Sequence, residues 1–284
     1  MRASPIKTYF AGNDRQNVQA LDKIKEMRPE DVLVLEVSNR QLLGLGRSPL
    51  IAVITNVAPN HLDEHPSFED YVETKRGLIT HQTAEDFAVL NHDNEITRRM
   101  IDSCPSQPFP FSRNYELGRG AFVKDGDIVV RREGREERVC SIGDIRIAGN
   151  HNLENVLAAV AAAYLRDVDV ETIGRVVSRF RGLKHRSQFV WEMGRVRYYD
   201  DLSSTTPQAT VAALRALPGP ILLIAGGDDK GLDYSKLGQV IVERVKALIL
   251  LPGQGADKIG RAVERAHRAG QRRENPLLMR HPEI

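Results

Sequence analysis

The run Ile51-Ala52-Val53-Ile54-Thr55-Asn56-Val57 is nearly continuous in apolar, mostly β-branched residues. That is the pattern of a strand covered on both faces in a parallel sheet; a half-solvated strand would alternate. Upstream, Val32-Leu33-Val34-Leu35-Glu36-Val37 repeats it, after a helix-like stretch from about Arg15 to Met27 with Val18, Leu21 and Ile24 apolar. Downstream, Phe87-Ala88-Val89-Leu90 is another short strand, stopping at the polar Asn91-His92-Asp93. Between them Ser67 to Thr80 reads as a helix with Ser67 as N-cap and the acidic Glu69 and Asp70 in its first turn, where backbone N–H groups and the helix dipole favour them. The β, α, β order predicts an α/β architecture with ligands at the carboxyl ends of the strands.

From about Phe109 to Ile147 short alternating segments punctuated by Lys124-Asp125-Gly126-Asp127 and Glu133-Gly134 predict a β-meander. Helices follow over Asn152 to Ala163 and Val170 to Phe180. After Gly182-Leu183 the chain restarts. Strands at Gln188–Met193 and Val196–Asp200, a helix from Thr206 to Leu217 and the strand Pro220–Ala225 come first. A helix near Tyr234–Arg244, the strand Ala247–Leu251 and a helix to about Ala269 complete the series. This second series predicts a separate Rossmann-like domain, so the division expected is residues 1–182 and 183–284. The tail after Gly270 carries no signal.

Composition narrows the function classes. Forty Lys and Arg against 38 Asp and Glu leave no basic excess to neutralise a run of phosphates, and aromatics for base stacking are few at 6%. A dedicated nucleic-acid binder is excluded on that ground. No apolar run approaches the roughly 20 residues a bilayer crossing needs, and no charged start with an apolar run follows Met1. A cytoplasmic protein without a membrane span is expected. Cys104 and Cys140 stand far apart without metal-ligand spacing, and are expected to be free thiols.

Chemistry gathers at the strand ends of the first half. Glu36 ends one strand, Thr55-Asn56 and Asn60-His61-Leu62-Asp63 follow the next, and Lys75 lies on the helix after it. A carboxylate and an imidazole at one crevice suit a hard divalent ion held together with nucleotide phosphates. They equally suit a solvated salt bridge and a loop-capping histidine, and Lys75 alone is an ordinary helix lysine. In the second half Lys184-His185-Arg186, Asp200-Asp201 and Gly226-Gly227-Asp228-Asp229-Lys230-Gly231 are the notable groups. The last is either an anion-holding glycine turn with a cation or a tight connection.

Taken in order, six motifs resemble the Mur ligase family. They are Leu35-Glu36-Val37-Ser38-Asn39-Arg40-Gln41-Leu42, Thr55 to Asp63, Tyr71-Val72-Glu73-Thr74-Lys75, Gly149-Asn150-His151-Asn152-Leu153-Glu154-Asn155, Gly182 to Arg186 and Gly226 to Gly231. The resemblance covers about Gly12 to Gly260, and its Glu-x-Ser-x-x-Gln-Leu pattern is most similar to the branch that adds D-glutamate to UDP-N-acetylmuramoyl-L-alanine. It implies a P-loop-NTPase-like central domain and a Rossmann-like C-terminal ligase domain. It also implies a reaction of peptidoglycan precursor synthesis in which ATP phosphorylates a carboxylate and an amine displaces the phosphate. Glu36 and His61 would be Mg²⁺ ligands, and Lys75, carbamylated by CO₂, would become an anionic ligand to a second Mg²⁺. Asn152, Asn155, His185, Arg186 and Asp201 would face ATP, while Asn13, Ser38, Thr205 and Lys230 would contact the substrates, Lys230 holding the D-glutamate side chain.

The departures are specific. No Gly-x-x-x-x-Gly-Lys-[Ser/Thr] occurs in the chain, although the family cradles ATP phosphates with such a loop. Nor does the family's Ser-Pro-x-x-x-Ser segment occur near the end. Both ends are therefore expected to be cut, and little or no ligase activity is expected from this polypeptide alone. Ser203 stands where the family has a D-glutamate-binding lysine, Arg40 where an aromatic is usual, and Gln188 where Glu is usual. The rivals are another Mur ligase, a folylpolyglutamate synthase, or a non-catalytic protein that binds a metabolite or partner.

Overall fold

A computed structural model describes residues 7–12, 20–59, 65–229, 231–270 and 277–280. They fall into two compact units, one drawn from Met1–Ala88 with Asn94–Pro108 and the other from Val89–Asp93 with Phe109–Ile284.

In the first unit β1 (Thr8–Ala11) pairs in parallel with β2 (Val32–Leu35), Tyr9 opposite Leu33, and α1 (Ala20–Ile24) lies between them in the chain. β1 carries no sequence signal strong enough to have been expected. The expected buried strand at 32–37 is shorter, and Val34 and Leu35 are 49% and 50% exposed. The reason is that β1 and β2 form a two-stranded sheet of their own instead of joining the next one. A four-residue helix, α2 (Asn39–Leu42), follows. β3 (Ile51–Ile54), β4 (Phe87–Leu90) and β5 (Gln107–Pro108) make a three-stranded sheet in that order, with α3 (Phe68–Thr80) and α4 (Glu95–Ile101) in the connections. Ala88, Val89 and Leu90 are buried in succession, as a run without alternation requires, while β3 alternates, with Ala52 and Ile54 buried and Ile51 and Val53 half-buried. α3 starts where its cap predicts: the Asp70 backbone N–H donates to Ser67 Oγ at 3.1 Å.

The second unit opens with a four-stranded sheet, β6 (Phe111–Ser112), β7 (Gly120–Lys124), β8 (Asp127–Arg132) and β9 (Arg135–Ser141), in that order. Its two hairpins turn through Asp125-Gly126 and Glu133-Gly134, all four residues at positive φ. Such turns match the strands' right-handed twist. α5 (Asn150–Tyr164) and α6 (Val170–Arg179) follow.

The strands at 188–193 and 196–200 appear as expected, β10 (Gln188–Met193) and β11 (Val196–Asp200), but they do not open a parallel series. They form an antiparallel pair of their own, because a two-residue connection, Gly194-Arg195, cannot carry a parallel crossover. After α7 (Pro207–Ala216), capped by Thr206, come β12 (Ile221–Ala225), α8 (Ser235–Arg244), β13 (Val245–Leu250), α9 (Gln254–Arg268) and β14 (Leu277–Arg280). The last three strands are parallel, order β12-β13-β14, with the helices as crossovers. Leu237, Val240, Ile241, Val245, Leu248, Leu250 and Val263 form their core. Among the described residues no helix is long and apolar enough to cross a membrane.

Candidate active site

Glu36 follows the last residue of β2, and its backbone N–H continues the ladder by donating to Ala11 O at 3.0 Å. A Cβ on Gly12 would lie 2.6 Å from Glu36 Cβ, so the glycine lets the ends of β1 and β2 approach. Two residues on, Ser38 caps α2 in a capping box: Gln41 N–H donates to Ser38 Oγ at 3.4 Å, and Ser38 N–H to Gln41 Oε1 at 2.9 Å. Ser and Gln of the Glu-x-Ser-x-x-Gln pattern thus have a local folding role, turning the chain sharply after Glu36.

Lys75 stands two turns into α3, half-buried, its Nζ 5.6 Å from the centre of the Tyr71 ring. Burial lowers its pKa, and the Glu36 carboxylate opposes that shift. Glu36 and Lys75 are therefore close enough to interact, and the amine is driven toward its neutral form. His61, Asn13 and Lys230 lie outside the described residues. Among the described residues no three His, Cys, Asp or Glu side chains converge as a metal group. The described part of the implied Mg²⁺ donor set is Glu36 with Lys75, and it fits in its chemistry: a carboxylate beside an amine whose neutral form can take up CO₂.

Unexpected is the group beside them. Buried His65 is hydrogen-bonded to buried Asn39 and to the half-exposed Asp70 in the same unit. No spacing rule exposes it, since its members are 26 and 5 residues apart.

The remaining candidates belong to the second unit. Gly149, at φ +101°, precedes α5 with no side-chain cap of its own, and Asn152 Nδ2 donates to Ala148 O at 2.7 Å across that first turn. Asn155, one turn further, is exposed. His151 is half-buried, and burial lowers its pKa against the opposing charges of Glu154 and Asp201. Arg113 Nε holds Glu154 at 2.7 Å and so anchors the helix.

His185 and Ser187 adopt positive φ, an expensive backbone for residues with a Cβ. What holds them there is a set of bonds to the end of β11. His185 Nδ1 lies 2.7 Å from Asp200 Oδ2, and Asp201 Oδ1 accepts from Ser187 N–H at 2.7 Å and Ser187 Oγ at 3.2 Å. Ser203 N–H donates to His185 O at 2.9 Å, and His185 N–H to Gln188 Oε1 at 3.0 Å. The imidazole holds the Asp200 carboxyl below its usual range. Arg186 and Thr205 are exposed on either side of this knot. In the glycine turn after β12, Gly227 O accepts from Gly255 N–H at 2.9 Å and Asp229 pairs with Lys258. A Cβ on Gly253 would sit 2.5 Å from Gly227 O, so these turns need glycine to pack on each other.

The profile of the Mur ligase middle domain matches residues 4–163. The chain belongs to the Mur ligase family. Among similar Mur ligases, the UDP-N-acetylmuramoylalanine–D-glutamate ligase of Symbiobacterium thermophilum is 41% identical over 272 residues, covering 95% of this chain and 59% of that protein. The enzyme of the same name from Acetivibrio thermocellus is 40% identical over 278 residues, covering 98% and 59%. The chain therefore spans about six-tenths of the length of these relatives. Among solved structures, MurF ligase from Thermotoga maritima in complex with ADP superposes with a TM-score of 0.66 at 18% identity, covering 97% of this chain and 70% of that one. A MurF crystal structure from Acinetobacter baumannii gives 0.64 at 15% identity, covering 97% and 67%. These establish an α/β Mur ligase fold.

Proposed function

We propose that the chain is part of a ligase of peptidoglycan precursor synthesis that joins D-glutamate to UDP-N-acetylmuramoyl-L-alanine at the expense of ATP. The support is the half-burial of Lys75, which lowers its pKa within electrostatic reach of Glu36, in a chain 36–41% identical to relatives bearing that name. In the proposed reaction a carboxylate oxygen of the UDP-linked alanine attacks the γ-phosphorus of ATP and ADP leaves. The D-glutamate amine then attacks the acyl carbon, loses a proton, and phosphate departs with the former carboxylate oxygen.

Glu36, His61 and Lys75 would hold Mg²⁺, which when bound offsets the negative charge of phosphate and carboxylate as they approach. Burial favours the neutral Lys75 amine, the form that adds CO₂ and releases a proton to become a carbamate. Asn152, Asn155, His185, Arg186 and Asp201 are assigned to ATP. The Asp200 and Asp201 bonds would hold His185 and Arg186 in a preset turn, sparing an ordering cost on binding. Asn13, Ser38, Thr205 and Lys230 are assigned to the substrates, Lys230 to the side-chain carboxylate of D-glutamate. Residues 1–182 would be the central ATPase-like domain and 183–284 the C-terminal Rossmann-like one, acting in the cytoplasm. Because these 284 residues contain no phosphate-cradling Gly-x-x-x-x-Gly-Lys-[Ser/Thr], the polypeptide alone is proposed to turn over little.

The test is phosphate release by the longest natural polypeptide carrying these residues, supplied with ATP, UDP-N-acetylmuramoyl-L-alanine and single amino acids. Release that requires D-glutamate supports the reading. Release with a different amino acid would tie the Ser203 substitution to a changed acceptor, and no substrate-dependent release would remove the ligase assignment.

A further inference from the structure

We propose that His65 is a positioning residue that ties the segment carrying Glu36 to the helix carrying Lys75; it rests on the reading of Glu36 and Lys75 given above. The His65 ring is 2% exposed, and both its nitrogens are used. Nδ1 lies 2.7 Å from Asp70 Oδ2 and Nε2 lies 3.0 Å from Asn39 Nδ2. A carboxylate accepts and an amide NH₂ donates. The tautomer that fits both partners has Nδ1–H giving to Asp70 and Nε2 receiving from Asn39. That bond crosses between helices: Asn39, 5% exposed, is the first residue of α2, and Asp70 lies in the first turn of α3.

The consequences reach the candidate ligands from both sides. Glu36 is three residues before Asn39 and is pinned at its other end by the β1–β2 ladder. His65 fixes the free end. On α3, Tyr71 meets the His65 ring edge-on, centroids 5.3 Å apart, and one turn further Lys75 Nζ rests over Tyr71. Asn39, His65, Tyr71 and Lys75 thus form one packed series. Its polar bonds, unlike bulk alone, set which way the Asn39 end of α2 faces. Outer partners of this kind are worth about ten- to a hundredfold in metal affinity where they orient ligands.

The experiment uses the 284-residue chain and Mn²⁺ alone as probe, its binding followed by electron paramagnetic resonance. Three variants are compared with the parent: Glu36→Gln, His65→Phe and His65→Gln. Phenylalanine keeps the ring against Tyr71 without either hydrogen bond. Glutamine can donate to Asp70 and accept from Asn39 as that tautomer does. The expected result is that Glu36→Gln and His65→Phe weaken Mn²⁺ binding by about tenfold or more, while His65→Gln retains most of it.

If Glu36→Gln weakens binding and His65→Phe does not, the positioning role is overturned and the reading of Glu36 stands. Equal losses in the Phe and Gln variants would also overturn it, because the hydrogen bonds would then not matter. If Glu36→Gln binds as the parent does, the underlying reading of the site fails, and this inference with it. Independent of any variant, ¹⁵N resonances of the unaltered chain are expected to show His65 protonated at Nδ1; protonation at Nε2 alone would overturn the assignment.

Discussion

His151 is held half-buried at the start of α5, and its burial outweighs the attraction of Glu154 and Asp201, so its pKa lies below the ordinary 6.5. Between that value and the lower folded one, the unfolded chain binds a proton that the folded chain does not. Stability must therefore fall as pH drops through the window and level off beneath it. His151→Gln removes this contribution. Thermal melts from pH 7 to 5 are expected to show a decline in the parent that is visibly shallower in the variant; parallel curves would mean that His151 is not buried neutral. The residue scale is also where the sequence was least readable. Lys75 is an ordinary helix lysine until its burial and its approach to Glu36 are known. His65 has no spacing signature, because its partners lie on a different helix and a turn away. Their place at the strand ends brings Glu36 and Lys75 to notice, and only the ordered motifs give them a role.

At the scale of elements, legibility followed the strength of the local pattern. β4 and α3 combine an apolar or capped pattern with clear stops, and their observed bounds lie close to those expected, whereas β3 ends at Ile54, three residues before the apolar run does. β1 and β14, four residues each, present no alternation long enough to separate them from loop. α2 is held by the Ser38–Gln41 box, not by periodicity, so no periodic reading finds it. In the β10–β11 pair two connecting residues dictate antiparallel pairing, a constraint of length that apolar patterning does not carry.

Packing between elements yields a sharper expectation at α8 and α9. A Cβ on Gly238 would sit 2.5 Å from the Ala262 carbonyl carbon and oxygen, while one on Gly46 meets nothing within 4 Å. Helix propensity alone would make Gly238→Ala stabilising by about 1 kcal/mol. Overpacking against backbone works the other way, by roughly 1–3 kcal/mol, and prevails because neither backbone atom can swing aside. Urea unfolding is expected to show Gly238→Ala destabilised and Gly46→Ala near the parent. A stabilised Gly238→Ala would mean that the two helices separate at little cost.

For the whole molecule, the family was legible because six motifs recur in one order over most of the chain, which no single one could establish. The contact-defined units, Met1–Ala88 with Asn94–Pro108 and Val89–Asp93 with Phe109–Ile284, are a grouping by packing, and the division at 182 and 183 stays a proposal about ancestry and function. The account's central claim is an acyl phosphate formed from the UDP-linked carboxylate. It is tested most directly by supplying UDP-N-acetylmuramoyl-L-alanine with its carboxylate labelled in ¹⁸O, together with ATP and D-glutamate, to the longest natural polypeptide carrying these residues. The account predicts that the phosphate released with each amide carries one ¹⁸O from that carboxylate; phosphate free of ¹⁸O would contradict it.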